Sequence, residues 1–373
     1  MKQPVLSGQA AVYVGPRKKL QLRRYPLTPP GPGTVLLKLQ RSGICGTDVH
    51  ICEGRLPLPF PRLILGHEFI GSVLELGGKG LKDGLGHSLR PGDTAIASVA
   101  LPCGACFNCL RGETASCLQF GVTYLRDPAE APHFHGGYAE YLFSPAANLV
   151  TIPPGVNLDA VAAFPCAGPT VIRAFDFAGG AEAGELVVVQ GTGPVGLFAI
   201  AWAASAGCHV VAIGSGSNPK RQRLAKSLGA ELVLDYRRVS PAQCVEKVQA
   251  LARRLQRGNG ADVVVEASGA PGAIPVGLEL LRTLGRYLVP GQYSNSGAVE
   301  IQPQLITFKA LKIIGSGQYK LADVGAYVRF LKQHPEMQMA FARCITHRYR
   351  IDQANEAMCA AAQGKSVKGV FVA

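Results

Sequence analysis

The stretch 186–203, LVVVQGTGPVGLFAIAWA, decides the fold of the second half of this chain. A continuous apolar strand enters a glycine-rich turn, and an apolar helix follows at once. The spacing of the glycines is G-x-G-x-x-G: the first makes the turn, the second lets a pyrophosphate approach the backbone, and the third packs helix on strand. Amides at the start of the helix would hold that pyrophosphate. This context predicts a dinucleotide-binding turn formed by Gly191, Thr192, Gly193, Pro194, Val195 and Gly196.

The sequence around this turn alternates between short apolar strands and helices. The pattern predicts strands at 186–190, 209–213, 231–234, 262–266, 286–289 and 312–314. It predicts helices at 196–206, 219–228, 242–255 and 273–284, followed by helices at 321–332 and 353–363 and a strand at 369–372. Strands rich in Val, Ile and Leu that are separated by helices indicate an α/β fold with a doubly wound parallel sheet.

The first half of the chain has a different texture. Residues 1–165 are broken by Gly and Pro, and helical periodicity is scarce there, which predicts a mostly-β unit. The strands predicted in it are 34–40, 69–76, 93–99 and 137–143, with a bridging helix at 160–178. A chain of 373 residues exceeds what one hydrophobic core usually holds, so two domains are expected.

Four of the eleven cysteines have metal-binding spacing. Cys103, Cys106, Cys109 and Cys117 form the pattern C-x2-C-x2-C-x7-C, in which neighbouring thiolates converge on one ion. Four thiolates leave no open coordination position, so a zinc ion here would be structural. An iron–sulfur cluster is the alternative, but ferredoxin-type runs end with a three-residue gap and Cys-Pro, and neither occurs here.

Three further segments each carry one metal donor. They are GICGTDVH with Cys45, LGHEFIGSV with His67 and FPCAGPT with Cys166. Two thiolates and an imidazole suit zinc and leave a fourth position for water or substrate, as in a catalytic site. Spacing alone does not join donors that lie so far apart in the chain.

Together these segments resemble the zinc-containing medium-chain alcohol or polyol dehydrogenase family. The resemblance rests on Cys-x-Thr-Asp-x-His, Gly-His-Glu and Cys-Ala-Gly in this order, with the four-cysteine loop between the last two. It implies that Cys45, His67 and Cys166 hold one catalytic zinc. It also implies a GroES-like catalytic domain at 1–166, completed by 311–373, and a Rossmann domain at 167–310.

The resemblance implies roles for several other residues. Thr47 would accept the proton of the substrate hydroxyl, and His50 would pass it to solvent. Asp48 would orient His67 through its other ring nitrogen, and Glu68 would lie behind the metal or displace its water transiently. Thr170 and Lys368 would contact the cofactor, the latter at its pyrophosphate.

The second strand of the dinucleotide unit ends without the acidic residue typical of NAD sites. Gly214 stands there, followed by Ser215, and Arg221 lies just beyond. Gly-Ser resembles NADP-using members of the family, although those often place Arg after the serine, where this chain has Gly216. The pattern favours NADP, and NAD stays open because backbone and serine hydroxyls can also hold a ribose.

The expected reaction is the reversible oxidation of an alcohol to a carbonyl compound by hydride transfer. Two alternatives predict different sequences. A zinc-free enone or quinone reductase would lack the ligands Cys45, His67 and Cys166, and a non-catalytic regulatory protein would lose the proton relay or the glycine turn. All of these residues are present.

Composition bounds the remaining possibilities. The net charge is +13, but the Lys and Arg residues are scattered without interleaved aromatics, which disfavours nucleic-acid binding. No apolar run reaches the length of a membrane span, and residues 1–10 show no signal peptide, so a cytoplasmic location is expected. The family resemblance implies a homodimer or homotetramer.

Overall fold

The computed structural model describes residues 6–58, 60–98 and 100–373. The chain divides into two compact units. Unit 1 comprises Met1–Cys166 and Lys320–Ala373, and unit 2 comprises Ala167–Tyr319. No helix among the described residues is both long enough and apolar enough to span a membrane.

The N-terminal part of unit 1 consists mainly of short strands. Its strands are β1 (Ser7–Tyr13), β2 (Gln21–Pro26), β3 (Thr34–Gly43), β4 (Leu63–Ile64), β5 (Phe69–Leu76), β6 (Thr94–Ala97), β7 (Ala100–Leu101), β8 (Gly121–Val122), β9 (Tyr141–Pro145) and β10 (Leu149–Thr151). Its helices are α1 (Gly46–Cys52), α2 (Phe107–Leu110) and α3 (Leu158–Ala163).

Unit 2 alternates helices and strands. Its helices are α4 (Ala167–Phe177), α5 (Pro194–Ser205), α6 (Pro219–Ser227), α7 (Pro241–Arg254), α8 (Ala273–Leu280) and α9 (Gln304–Phe308). Its strands are β11 (Leu186–Gln190), β12 (His209–Gly214), β13 (Leu232–Asp235), β14 (Ala261–Glu266), β15 (Leu281–Val289) and β16 (Lys312–Gly315).

The C-terminal segment returns to unit 1. It contains α10 (Leu321–Gln333), α11 (Pro335–Ala342), β17 (Ile345–Tyr349), α12 (Ala354–Ala362) and β18 (Lys368–Val372). Strand β18 pairs antiparallel with β3, so that Val370 lies opposite Gly43. This pairing brings the end of the chain beside the segment that carries Cys45.

Unit 1 is built around antiparallel pairing. Its largest sheet has the order β10-β6-β5-β3-β18-β17, with β9 also paired to β3, and a smaller sheet has the order β2-β1-β4. These strands and the segments between them bury apolar side chains in one continuous core, including Leu37, Phe69 and Tyr138. Unit 1 is therefore the mostly-β unit that the first half of the sequence predicts.

The sheet of unit 2 is parallel throughout and has the order β13-β12-β11-β14-β15-β16. Strand β11 pairs with β12 on one side and β14 on the other, so the strand order reverses at its end. In doubly wound sheets the ligand binds at the carboxyl ends of the strands at such a switch point. The glycine turn at 191–196 lies there.

Several predicted elements differ from the structure. Residues 137–140, predicted as strand, form only an isolated bridge from Ala139 to Ala10, and the amides of Gly137 and Tyr138 donate to the carbonyls of Gly66 and Leu65 before β5. The helix predicted at 273–284 ends at Leu280, where β15 begins. The strand predicted at 93–99 is observed as Thr94–Ala97, and Val99 lies outside the described residues.

The bridging helix predicted at 160–178 is broken into α3 and α4. Phe164 leaves the helical region with φ −139° and ψ 40°, and Pro165 follows it. A proline lacks the amide hydrogen that a helix needs and excludes the helical conformation at the residue before it. The break leaves Cys166 between two helices.

The second domain boundary also differs from the prediction. The predicted boundary followed residue 310, whereas unit 2 extends to Tyr319. The reason is β16, which pairs in parallel with β15 and completes the sheet of unit 2.

Candidate active site

Cys45, His67, Glu68 and Cys166 meet in unit 1. One ligand atom from each of the four side chains lies within 4.8 Å of the others. His67 and Glu68 are buried, and the two cysteines are half-buried. Two sulfurs, an imidazole nitrogen and a carboxylate oxygen are a donor set suited to zinc. The structure thus brings together the three ligands that the family resemblance implies, with Glu68 beside them.

The strand pairing explains how distant segments converge. Cys45 lies at the end of β3 and is the N-cap of α1, while His67 and Glu68 immediately precede β5. Strands β3 and β5 are neighbours, with Ser42 opposite Phe69. Cys166 joins them from the break between α3 and α4.

Asp48 links two of these segments. It is fully buried, and its Oδ2 accepts a hydrogen bond from the amide of Cys45 at 3.0 Å. Its Oδ1 lies 3.4 Å from Nδ1 of His67. This is where a carboxylate would orient the imidazole through its other ring nitrogen.

Lys368, for which a contact with the cofactor pyrophosphate is predicted, has its side chain buried in unit 1, where its Nζ pairs with Oε2 of Glu68. The same Nζ donates to the carbonyl of Ile44 at 3.3 Å. A buried ammonium is held by an opposite charge, and Glu68 supplies it. Burial raises the pKa of Glu68 to about 7, although Lys368 opposes this shift.

Thr47 and His50 lie on α1, one helical turn apart. Oγ1 of Thr47 is 3.7 Å from Sγ of Cys45, so the hydroxyl lies beside the candidate metal site. His50 is partly exposed, and burial together with the charge of Arg55 lowers its pKa. Its imidazole is therefore neutral near pH 7 and able to accept a proton.

The four-cysteine loop forms a second cluster in unit 1. The sulfurs of Cys103, Cys106, Cys109 and Cys117 lie within 4.8 Å of one another. Backbone amides point at these sulfurs: Cys103 donates to Cys117 at 3.3 Å, and Cys106 donates to Cys103 at 3.3 Å. Amide donors stabilise thiolates, and such bonds lower the pKa of Cys106 to about 6.

The glycine turn of unit 2 has the geometry that its motif predicts. Gly191 has φ +110°, and a Cβ there would lie 2.9 Å from the backbone of Ala267. A Cβ on Gly196 would overlap the carbonyl of Gly191, because α5 packs directly on the turn. Around Gly193, the N-cap of α5, a Cβ would meet nothing within 4 Å. That open space is available to a phosphate group at the positive end of the helix.

The end of β12 holds a feature that the sequence did not reveal. A Cβ on Gly214 would lie 2.6 Å from Oγ1 of Thr192, so the turn itself excludes a larger side chain there. Next to it, Oδ1 of Asp235, from the neighbouring strand β13, accepts a hydrogen bond from the amide of Gly216 at 3.0 Å. A Cβ on Gly216 would overlap Oδ2 of the same carboxylate. Only the parallel register of β12 and β13 brings Asp235 here, since Gly214 pairs with Asp235.

The other predicted cofactor contacts also lie in unit 2. Ser215 is partly buried, and its Oγ lies 2.8 Å from that of Ser217. Arg221 is in the first turn of α6, where burial lowers its pKa. Thr170 is buried on α4.

The loop 119–135 packs onto unit 1. Arg62 pairs with Asp127 at 2.6 Å, and the ring of His133 stacks on Tyr25 with 4.9 Å between centroids. His135 is buried, and burial followed by the charge of Arg126 lowers its pKa to about 4. These contacts cover the β-rich core of unit 1 with the aromatic part of the loop.

Comparison with known protein families gives two matches along the chain. The family described as "Alcohol dehydrogenase GroES-like domain" matches residues 31–154, and "Zinc-binding dehydrogenase" matches residues 194–333. The 5-exo-hydroxycamphor dehydrogenase of Pseudomonas putida is 32% identical over 368 residues, covering 97% of this chain and 98% of that protein.

Solved structures show the same fold. The crystal structure of an alcohol dehydrogenase from Thermotoga maritima has a TM-score of 0.90 at 29% identity, covering 98% of this chain and 99% of that one. A protein from Sinorhizobium meliloti 1021, described as a zinc-binding dehydrogenase and bound to NADP, has a TM-score of 0.81 at 25% identity, covering 99% and 100%. These likenesses confirm the predicted fold class, a GroES-like unit with a Rossmann-type parallel sheet.

Proposed function

This chain belongs to the zinc-containing medium-chain alcohol dehydrogenase family, and from that premise we propose that it is a zinc-dependent, NAD(P)-linked dehydrogenase. It would oxidise a primary or secondary alcohol reversibly to a carbonyl compound. The observation that carries this proposal is the convergence of Cys45, His67, Glu68 and Cys166 within 4.8 Å.

The donor chemistry of this cluster fits a zinc ion. A hydrogen bond from Cys166 lowers the pKa of Cys45 well below its usual value, so a thiolate is available to a cation. Cys45, His67 and Cys166 would hold the metal, and Glu68 would lie beside it, restrained by Lys368. When bound, the zinc supplies Lewis acidity that lowers the pKa of an alcohol hydroxyl.

Protein side chains provide a route for the proton that the alcohol loses. Oγ1 of Thr47 would accept it beside Cys45, and the neutral imidazole of His50, one turn along α1, would take it towards solvent. Asp48 would hold the His67 ring in a fixed orientation throughout. The four-cysteine cluster would hold a second, structural zinc.

The substrate class follows from the relatives. The name of the Pseudomonas putida protein refers to a secondary alcohol on a ring, which supports a secondary alcohol as substrate here. Polyols and anionic alcohols remain within this class.

The test is a zinc assay combined with the absorbance of reduced nicotinamide, followed across secondary, primary and polyhydric alcohols. We expect two zinc ions per chain and turnover of at least one secondary alcohol. Zinc without turnover of any alcohol would favour a non-catalytic, regulatory role, and absence of zinc would favour a reductase of the zinc-free type.

The cofactor bound by unit 2 would be NADP in preference to NAD. No carboxylate occupies the end of β12, and the serines at 215 and 217 can donate to a 2′-phosphate. The similarity to the NADP-bound protein from Sinorhizobium meliloti supports the same assignment. The Asp235 carboxylate near this point argues for NAD, because it would repel a 2′-phosphate. It already accepts hydrogen bonds from the amides of Gly216 and Arg237, however.

Replacement of Ser215 by Asp tests this assignment. A carboxylate beside the ribose repels a 2′-phosphate and can accept bonds from a 2′-hydroxyl. We expect kcat/KM for NADP relative to NAD to fall by about tenfold or more, corresponding to about 1.4 kcal/mol. Ser227→Asp, at an exposed position at the end of α6, is the control and should leave this ratio unchanged. An unchanged ratio in Ser215→Asp would contradict the contact.

We also infer that the chain forms a homodimer or homotetramer. Strand β16 lies at the edge of its sheet, with Ile313 and nearby Phe308 exposed. The four-cysteine loop exposes Phe107, Leu110 and Leu118. Apolar patches of this kind mark association surfaces. Light scattering would give a mass of two or four times 39.3 kDa, and a monomer would refute the inference.

A further inference from the structure

Tyr138 lies behind the segment that carries His67. Its side chain is fully buried, and its ring packs on Phe371 with 4.8 Å between centroids. Its amide donates to the carbonyl of Leu65 at 2.8 Å. Gly66, the residue before His67, has φ +94°, and a Cβ there would lie 2.5 Å from the Tyr138 ring. The tyrosine is thus packed tightly against the backbone that presents this ligand.

The hydroxyl of Tyr138 indicates a role beyond packing of the ring. Its oxygen is buried without a hydrogen-bond partner of ideal geometry among the described residues, and the same holds for Oδ1 of Asp48. Burial raises the pKa of Tyr138, and the charge and hydrogen-bonding capacity of the Asp48 carboxylate raise it further. Both atoms lie around the segment that carries His67, because the Tyr138 ring packs on Gly66 and Oδ1 of Asp48 is 3.4 Å from Nδ1 of His67. Each has a hydrogen-bonding requirement that the other can satisfy.

We propose that Tyr138 is a positioning residue of the metal site, whose hydroxyl donates to Oδ1 of Asp48 and holds that carboxylate between Cys45 and His67. The inference rests on the proposed zinc function of this cluster. Asp48 accepts from the amide of Cys45 with Oδ2 and faces Nδ1 of His67 with Oδ1. The phenol fixes the rotation of the carboxylate, and so the relative placement of the two ligands.

Tyr138 contributes in two ways that can be separated, through its backbone and ring contacts and through its hydroxyl. The backbone bond to Leu65 and the ring contacts stay when only the hydroxyl is removed. Tyr138→Phe therefore removes the interaction with Asp48 and leaves the packing of Gly66 in place. This variant isolates the proposed role.

The experiment measures zinc retention in the full-length protein against a chromogenic chelator. The catalytic zinc is identified as the phase of metal release that Cys45→Ser lacks. Partners behind metal ligands change metal affinity by about 10–100-fold, and one step further out we expect Tyr138→Phe to release this zinc about three- to tenfold faster. The structural zinc should be released at the wild-type rate.

Tyr25→Phe is the matched control. Tyr25 is also in unit 1, and its hydroxyl is likewise buried without a partner of ideal geometry among the described residues. Its ring neighbours are His133 and Phe134, not Asp48. We expect wild-type release of both zinc ions. Equal release from Tyr138→Phe, Tyr25→Phe and the wild type would overturn the inference.

A double-mutant cycle distinguishes positioning from a general loss of stability. If Tyr138 acts through Asp48, the hydroxyl has no role once the carboxylate is gone, so Asp48→Asn/Tyr138→Phe should release zinc no faster than Asp48→Asn. Additive effects would show that Tyr138 acts by another route.

A second measurement does not need the Tyr138 variant to fold. In protein labelled with ¹³C at tyrosine Cζ, we expect Asp48→Asn to move the Tyr138 resonance and leave that of Tyr25 in place. No movement would contradict the contact. Loss of the release phase in the wild type itself would instead refute the proposed zinc function, so the two failures are distinguishable.

Discussion

The two cysteine clusters of unit 1 use similar ligands but are assembled in opposite ways. The four-cysteine loop takes its sulfurs from residues 103–117, and its own backbone amides point at them. The other cluster draws Cys45, His67 and Cys166 from three segments, brought together by strand pairing and a broken helix. The geometry of the local cluster depends on the conformation of one loop. The geometry of the assembled cluster depends on the fold of the whole unit. Substitutions in the two should therefore affect different properties.

The largest expected effect comes from Cys166→Ser in the assembled cluster. Loss of a thiolate ligand should release the catalytic zinc and lower kcat by about 10³-fold or more, because Lewis acidity is worth several kcal/mol of transition-state stabilisation. Metal analysis should show one zinc per chain instead of two. Cys344→Ser, which changes a buried cysteine of the same unit outside both clusters, is the control. Retention of both metals would refute the ligand assignment.

The next effect concerns the buried ion pair between Lys368 and Glu68. Lys368→Met leaves the Glu68 carboxylate buried without its cation, and breaking a buried pair from one side costs about 3–5 kcal/mol. We expect urea unfolding to show this loss while KM for the cofactor stays within about twofold. Lys365→Met, at an exposed lysine of unit 1, should leave both unchanged. A raised cofactor KM without loss of stability would restore the pyrophosphate role.

The local cluster should respond through stability. Cys106→Ser should remove the structural zinc and lower the free energy of unfolding by about 2–3 kcal/mol, since a metal bound only by the folded state stabilises it by mass action. Below the unfolding temperature, kcat should stay within about threefold of wild type. Thermal unfolding and metal content measure this, with Cys359→Ser, an exposed lone cysteine, as the control. A much larger fall in kcat would contradict this and show that the four-cysteine cluster affects the other cluster.

The smallest expected effect is a pH dependence at the loop 119–135. The pKa of His135 is about 4 in the folded protein and about 6.5 when exposed, so folding favours the neutral ring. Its contribution to stability is present above pH 6.5 and is lost as the pH falls towards 4, by about 2 kcal/mol. His135→Gln should flatten the stability profile over this window, whereas Gln119→Ala, which removes no titratable group from the same loop, should not. Identical slopes in wild type and His135→Gln would contradict this.

The same contrast between local and assembled features separates what the sequence predicts from what it does not. The strand Leu186–Gln190 and the strand Phe69–Leu76 are observed with the predicted bounds, because continuous or alternating burial leaves a direct pattern in the sequence. The glycine turn was predictable because each of its three glycines has a role that the local sequence motif indicates. The strand at 312–314 was predicted, but the boundary was placed before it, because only the folded sheet shows that this strand pairs with β15.

In the site, the residues that could not be predicted are those that act across elements. Nothing in the sequence around Lys368 predicts its ion pair with Glu68, which the pairing of β18 with β3 makes possible. Tyr138 resembles any aromatic core residue in the sequence, and only the fold packs its ring on Gly66, the residue before His67. Asp235 reaches Gly216 only through the parallel register of β12 and β13. The family resemblance grouped Cys45, His67 and Cys166 at one site, but it did not predict these neighbouring contacts.

The contact between Asp235 and Gly216 has a consequence for protein engineering. An arginine at position 216 would place its first side-chain carbon on this carboxylate, so the Asp235 side chain would have to turn away and lose its bonds to the amides of Gly216 and Arg237. A library that randomises residue 216 alone should therefore favour glycine. A shorter residue at 235 removes this conflict, so a cation at position 216 should be tolerated better in a double replacement than in a single one.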